Sequence, residues 1–148
     1  MSSLHPNVAT LHQLYADLRR IDDHAHEDMV LHTAQRALGP EAGRIVGKTA
    51  VSAKIHELIR QTGDTLRMQV DSIVANDYFG AVLGSIRTER DEHDIAMPFC
   101  GLWRFRDGRV LEHWENAYDI AGLDAFILGE GVERSAWVQP LRKMTTRK

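Results

Sequence analysis

The sequence lacks most of the features that mark membrane, secreted or nucleic-acid-binding proteins. Its 148 residues include one cysteine, Cys100, so no disulfide can form within the chain. No stretch approaches the ~18 uninterrupted apolar residues of a membrane-spanning helix. The net charge of −3 gives no electrostatic reason to expect nucleic acid or an anionic membrane as a partner. The first ten residues also lack the basic and apolar regions of a signal peptide, which favours a cytoplasmic location.

The composition is that of a folded globular domain. Hydrophobic residues make up 43% of the chain and charged residues 26%, and the length suffices to bury a sizeable core. No internal repeat or low-complexity segment divides the sequence. We therefore predict one domain over residues 1–148, with a short N-terminal tail at 1–6 and a C-terminal tail at 134–148.

Helical periodicity marks two segments in the first half of the chain. Apolar residues recur at helical spacing between Val8 and Leu18, which predicts a helix over residues 7–20 with Asn7 as its N-cap. A second helix is predicted over residues 49–62, closed by Gly63. Between them, "IDDHAHED" can hold a short helix, "MVLHTA" has the pattern of a strand, and "QRALGPEAGRIVG" that of a loop.

The second half changes to strand periodicity. Four strands are predicted over residues 65–76, 78–90, 95–105 and 109–119, separated by turns at Asn76-Asp77, "DEHD" and Asp107-Gly108. The segment "AGLDAFILG" can form a closing helical turn. Helices followed by a four-stranded antiparallel meander indicate an α+β fold, with the helices packed on one face of a curved sheet.

The last predicted strand carries an ionisable pair, His113 and Glu115, two residues apart and hence on one face. That face looks either at water or into a cavity. A plain two-residue hairpin would pair Phe105 with Val110 and turn Asn116 to the face of Trp103. A β-bulge would reverse this parity and turn Glu115 there instead. The pairing alone leaves both registers open.

The element order, the helix containing "LYADLRRIDD" and the hairpin "WRFRDGRVLEHWENAYD" resemble the SnoaL-like branch of the nuclear-transport-factor-2-like superfamily. The resemblance covers roughly residues 7–128. It implies a cone-shaped, cystatin-like fold with a deep apolar pocket. Members include polyketide cyclases, ketosteroid isomerases, limonene-type epoxide hydrolases and scytalone-type dehydratases, while others are not catalysts. Because one fold carries many chemistries, the function must be argued from individual residues.

The resemblance assigns roles to three residues. Glu115, five residues after Val110, occupies the position of the catalytic carboxylate of the cyclases and epoxide hydrolases, where the family residue is usually Asp. The resemblance therefore implies the bulge, and we predict it, with Glu115 in the cavity and His113 beside it. His113 would line the same pocket and relay or tune the proton. Tyr15 matches the tyrosine that donates to the oxyanion in the isomerases. Each residue also has a structural alternative. Glu115 would be a solvated or salt-bridged strand carboxylate, His113 a polar wall residue or structural hydrogen-bonding group, and Tyr15 an aromatic residue of the core.

Other family positions are not matched. The general base of the isomerases falls on Thr33 and their second oxyanion donor on Gly101, so the isomerase mechanism lacks its base. The Arg-x-Asp pair of the limonene-type hydrolases falls near Leu83 and Ser85. The resemblance therefore implies acid/base chemistry without naming the reaction.

The expected ligand is a hydrophobic small molecule of polyketide, terpenoid or steroid type, because the predicted pocket wall is mostly apolar. The predicted wall residues are Met68, Met97, Phe99, Trp103, Thr33 and His32. The alternative is the core for Met68, Met97, Phe99 and Trp103, and sheet packing for His32. Cys100 lacks a partner that would activate it and is predicted to be a small buried residue. The alternative function is a non-catalytic binding or interaction module on the same fold.

The remaining expectations concern metals, cofactors and assembly. The Asp and His residues at 22–28 suggest a metal only weakly, because no distant third ligand accompanies them. We predict no metal and no cofactor. A homodimer is expected, because a meander with apolar residues on both faces needs a cover on its outer one.

Overall fold

The computed structural model describes residues 4–39, 43–129 and 138–140. The helices and strands follow in chain order as α1 (Pro6–Ala16), α2 (Ile21–His24), β1 (Ala25–His32), β2 (Arg44–Val46), α3 (Lys48–Gln61), β3 (Arg67–Ala75), β4 (Phe79–Arg90), β5 (His93–Arg106), β6 (Arg109–Ala117), α4 (Ile120–Leu128) and β7 (Val138–Pro140). Within the described residues no helix is long and apolar enough to cross a membrane.

The strands form one curved sheet in the order β2-β1-β6-β5-β4-β3, and β7 pairs with β5. Strands β3 to β6 are the predicted antiparallel meander. Strand β1 adds a pairing that was not predicted: it lies next to β6 and runs parallel to it. Helix α1 packs on β3 and α3 on β1, so the helices cover one face. The predicted α+β class, a cone of helices on a curved sheet, is confirmed with one parallel pair added.

The first helical segment is shorter than predicted, for a local reason. Helix α1 ends at Ala16 because Asp17 is extended, and its carboxylate accepts the backbone N–H of Arg19 to start a separate 3₁₀ turn. The N-cap is His5 rather than Asn7, since the imidazole accepts the Asn7 backbone N–H. The Asn7 amide instead donates to the carbonyl of Asn76, tying α1 to the turn between β3 and β4.

Three other segments differ from the prediction. Strand β1 begins at Ala25, four residues before the predicted strand, and so takes in His26 and Asp28. The predicted loop after it contains β2, which pairs with β1. Strand β7 lies in the segment predicted as a C-terminal tail and pairs with β5. The remainder of that tail lies outside the described residues.

The core lies between the helices and the inner face of the sheet. Its largest fully buried side chains come from both layers, which places the packing contact at the centre of the cone. They are Trp103, Phe126, Leu11, Leu14, Ile21, Met29, Leu31, Ile95, Met97, Val51, Val82 and Val110. Burying side chains of this size contributes about 1.5–3 kcal/mol each to folding.

Candidate active site

The hairpin between β5 and β6 sets the direction of the site residues. Asp107 and Gly108 both have positive φ, as a two-residue type I′ turn requires. Phe105 pairs with Val110, but Arg104 pairs with Glu112, so Leu111 is the extra residue of a β-bulge. Val110 and Leu111 are accordingly both buried. The predicted bulge is confirmed.

The bulge turns His113 and Glu115 to the inner face of the sheet. His113 now pairs with Trp103, and Glu115 pairs with Gly101. Both line a cavity of about 100 Å³ between α3, α4 and the sheet, room for several water molecules or part of a small ligand. Most of its wall is apolar and comes from Leu18, Leu31, Ile55, Leu58, Leu66, Met68, Ile86, Phe99, Leu123 and Ile127.

Glu115 is the carboxylate of this cavity. Burial among protein atoms raises its pKa from an ordinary value of 4.5 to about 7. The backbone N–H of Ala34 and the charges of Arg36 and Lys54 oppose this rise in pKa, but burial outweighs them. The side chain keeps some accessible surface because it faces the cavity. A carboxyl with a pKa near 7 can both give and take a proton at neutral pH.

His113 is held as a neutral imidazole. Its Nδ1 lies 2.9 Å from the carbonyl oxygen of Leu102, which only accepts, so Nδ1 carries the proton and Nε2 keeps its lone pair. Burial lowers the pKa of His113 from 6.5 to about 3, against the effect of the Leu102 bond. The ring is stacked on Trp103 with 3.4 Å between ring centroids. His113 therefore contributes an acceptor, not a charge, at neutral pH.

Tyr15 comes to the site from α1. Its hydroxyl oxygen accepts a hydrogen bond of 3.1 Å from the indole Nε1 of Trp103, and its ring stacks on Phe99. Burial raises the pKa of the Tyr15 phenol far above its ordinary value, so the hydroxyl keeps its proton. Tyr15, His113 and Glu115, which the sequence analysis grouped, thus line one cavity.

The predicted wall residues are only partly placed together. Met68, Phe99 and Thr33 line the cavity. Met97 and Trp103 are buried in the core and do not line it, so their prediction as wall residues is corrected and the core alternative holds for both. Cys100 is partly buried and borders the cavity.

His32 is also corrected, because it lies on the other face of the sheet. Its Nε2 is 2.5 Å from a carboxylate oxygen of Glu112, and its ring stacks on Trp114. Arg104 donates two hydrogen bonds to the other carboxylate oxygen. Although burial opposes ionisation of Glu112, the bonds from His32 and Arg104 hold its pKa below the ordinary value. This group ties β1, β5 and β6 together on the face away from the cavity.

Two cationic residues near Glu115 were not predicted. Arg36 donates from one guanidinium nitrogen to the carbonyls of His32, Thr33 and Glu115, and from the other to the Asn116 side chain at 2.6 Å. Lys54 lines the cavity from α3. Helical spacing could have placed Lys54 beside Leu58, four residues later, but nothing local predicts that Arg36 reaches β6 across 79 residues.

No group of three or more His, Cys, Asp or Glu side chains in the described ranges is arranged to hold a metal ion. In the run at 22–28, Asp22 accepts a hydrogen bond from Ser52 and Asp23 pairs with Arg20. His26 and Asp28 are 3.8 Å apart on β1. These side chains therefore have structural partners on three different elements.

The fold and the cavity together define a class: a cone-shaped α+β domain that encloses an apolar pocket with a titratable carboxyl inside. The sequence model of the SnoaL-like domain matches residues 12–113. The chain therefore belongs to the SnoaL-like family. The match ends two residues before Glu115. No curated protein sequence matches the chain.

Solved structures share the fold at low sequence identity. Bal32a from a soil-derived mobile gene cassette is 24% identical, with a TM-score of 0.70 over 82% of this chain and 95% of that one. A protein from Jannaschia sp. CCS1 that is described as a SnoaL-like polyketide cyclase is 14% identical, with a TM-score of 0.69 over 86% of this chain and 95% of that one. TerC, co-crystallised with polyporic acid, is 16% identical, with a TM-score of 0.67 over 84% and 99%. Likeness at this level shows the fold alone.

Proposed function

We propose that the protein is an enzyme that performs acid/base chemistry on a mostly apolar small molecule, using protein groups alone. The observation that carries the proposal is the carboxyl of Glu115, whose pKa is raised to about 7 at an apolar cavity. A perturbed carboxyl in a cleft is typical of functional sites, because a structural carboxylate is normally paired or solvated. The reaction class is a cyclisation, dehydration, isomerisation or hydrolysis that needs a proton moved.

The three site residues have complementary roles in this proposal. Glu115 transfers the proton. Tyr15 donates a hydrogen bond to a substrate oxygen and stabilises the negative charge that develops there. His113, as a neutral imidazole, accepts from a substrate or water O–H through Nε2 and relays the proton. Thr33 and the apolar wall hold the substrate.

The substrate class follows from the wall. Aromatic and branched side chains such as Phe99, Leu58 and Ile86 favour a ring system of polyketide, terpenoid or steroid type. Two proteins with this fold support a substrate of this kind: one is described as a polyketide cyclase, and another was crystallised with polyporic acid. The competing function is a non-catalytic binding module on the same fold.

The test of the proposal is a titration of Glu115. We expect its carboxyl resonance to titrate with a midpoint near 7 in ¹³C NMR spectra, because burial penalises the charged form. The signal is assigned by its loss in Glu115→Gln. A midpoint close to that of an exposed glutamate would leave no acid/base group in the cavity and would favour the binding module.

We also propose that the chain forms a homodimer through the outer face of the sheet. Large apolar side chains are exposed there in one strip, formed by Val74, Phe79, Leu83 and Leu102. Sedimentation at micromolar concentration should give twice the chain mass of 16.7 kDa. Leu83→Lys should weaken association, whereas Leu38→Lys, also exposed but outside the sheet, should not. A 16.7 kDa species for the wild type would contradict this proposal.

A further inference from the structure

The hydrogen bond between Trp103 and Tyr15 has a definite direction. An indole N–H is only a donor, so Trp103 Nε1 uses a lone pair of the Tyr15 oxygen. The Tyr15 proton must therefore point elsewhere. Within the described part of the chain, no hydrogen-bond acceptor for that proton is found. A buried hydroxyl that is already an acceptor is thus left to donate into the cavity that Tyr15 lines.

Gly101 makes this position of the hydroxyl possible. A Cβ atom at residue 101 would lie 2.2 Å from the Tyr15 oxygen, a distance that no side chain can tolerate. The hydroxyl therefore rests on the backbone of β5 in the space that a side chain would fill. Gly101 is also the cross-strand partner of Glu115. Cross-strand neighbours on one face have their Cβ positions about 5 Å apart, so Tyr15 and Glu115 can reach adjacent atoms of one ligand.

Both partners of the bond are held by packing. The Trp103 indole is 1% exposed and lies between the Tyr15 ring, which meets it edge-on, and the stacked imidazole of His113. The Tyr15 ring stacks on Phe99 with 5.6 Å between centroids. Neither ring can rotate away without losing these contacts, so the direction of the Tyr15 O–H is set before a ligand arrives.

We infer that Trp103 is a positioning residue that commits Tyr15 to donate its proton, so that the cavity selects a ligand with a carbonyl or oxyanion oxygen facing Tyr15. The inference deepens the proposed function and rests on it for the site that Tyr15 serves. It changes the role of Trp103, which touches Tyr15 and not the ligand. A ligand group that can only donate, such as an ammonium, would face the Tyr15 proton and find no acceptor at this point.

The test measures binding of 4-nitrophenolate, a planar oxyanion, by the shift of its visible absorbance. The measurements use the Glu115→Gln background, in which no carboxylate repels the probe and no turnover is involved. Trp103→Phe removes the N–H but keeps an aromatic ring, and should weaken binding about three- to tenfold. Gly101→Ala should weaken it at least as much, because its Cβ displaces the Tyr15 hydroxyl. Trp114→Phe, on the opposite face of the sheet, is the matched control and should change little.

A double-mutant cycle separates positioning from packing. If Trp103 acts through the hydroxyl, Trp103→Phe should have no further effect once Tyr15→Phe is present. An equal loss with and without the hydroxyl overturns the inference, as does a folded Glu115→Gln chain that fails to bind the phenolate. Thermal unfolding checks each variant. If Trp103→Phe does not fold, Gly101→Ala replaces it in the cycle, because its Cβ would lie 2.2 Å from the Tyr15 oxygen and 3.1 Å from Trp103 Nε1 and so breaks the same bond. Failure of Glu115 as an acid/base would appear in its titration and in turnover, and leaves this cycle unchanged.

Discussion

Replacing Glu115 with Gln should lower kcat by about 100-fold or more on any substrate that the wild-type chain turns over. Glutamine keeps the size and shape of the side chain but can neither take nor release the proton. The substrate should still enter the cavity, because the apolar wall is unchanged, so KM should move much less than kcat. The wild-type kcat/KM should also change with a midpoint near pH 7, where Glu115 titrates.

A matched control is available three residues away on the same strand. Glu112 is also a carboxylate of β6, but it faces the outer side and binds His32 and Arg104. Glu112→Gln should leave kcat within a few-fold of the wild type, although it removes a charge from the same strand. Unchanged turnover in Glu115→Gln would move the chemistry to another group. Binding without any turnover in the wild type would instead support the non-catalytic module.

The site could be predicted from the sequence where local spacing decides the geometry. The resemblance to the family supplied the meaning of the five residues between Val110 and Glu115, and the two-residue turn then requires a bulge if the carboxyl is to face inward. The type I′ turn at Asp107-Gly108 fixes the pairing that the bulge then shifts by one residue. Within a strand, a change of one residue exchanges the two faces, so this single feature decides which side chains enter the cavity.

Residues whose position depends on long-range pairing were not predictable in the same way. The parallel contact of β1 with β6 places His32 beside Trp114, on the outer face. The pattern of "MVLHTA" predicts a strand but does not indicate which other strand will pair with it. The same holds for Arg36, whose contact with β6 exists only because that pairing brings the end of β1 to the strand. Trp103 was predicted to touch the ligand, but it is buried in the core instead. The alternation of β5 shows that Trp103 is on the inner face of the sheet, not how deeply it is buried there.

Acid should destabilise the protein strongly through His113. Folding lowers the pKa of this side chain from 6.5 to about 3, so between these values the unfolded chain binds a proton that the folded chain refuses. Its contribution to stability is therefore fully present above pH 6.5 and is lost as the pH falls toward 3. The difference corresponds to about 5 kcal/mol, a large part of the 5–15 kcal/mol that stabilises a typical domain. Denaturant melts that compare the wild type with a variant lacking the imidazole should show this loss between pH 6.5 and about pH 3.

Glu115 acts in the opposite direction over a neighbouring range. Its pKa is raised by folding from 4.5 to about 7, so the stabilising protonated form is fully present below pH 4.5 and is lost as the pH rises through 7. Between pH 4.5 and 6.5 the two groups partly cancel. Below pH 4.5 Glu115 is protonated in both the folded and the unfolded chain, so only the His113 contribution still changes. The free energy of unfolding should therefore fall most steeply in this range.

Removing the imidazole should flatten this acid branch. In His113→Asn, the side-chain amide can still donate to the Leu102 carbonyl, but nothing titrates at this position. The variant loses the stack on Trp103 and should be less stable than the wild type at pH 8. Its free energy of unfolding should nevertheless rise relative to that of the wild type between pH 6.5 and 4, because only the wild type has the His113 contribution to lose, so the two proteins converge in acid. His12→Asn, on the exposed side of α1, is the matched control. Parallel acid branches for His113→Asn and the wild type would mean that His113 takes up its proton in the folded state and that its neutral role at the site is wrong.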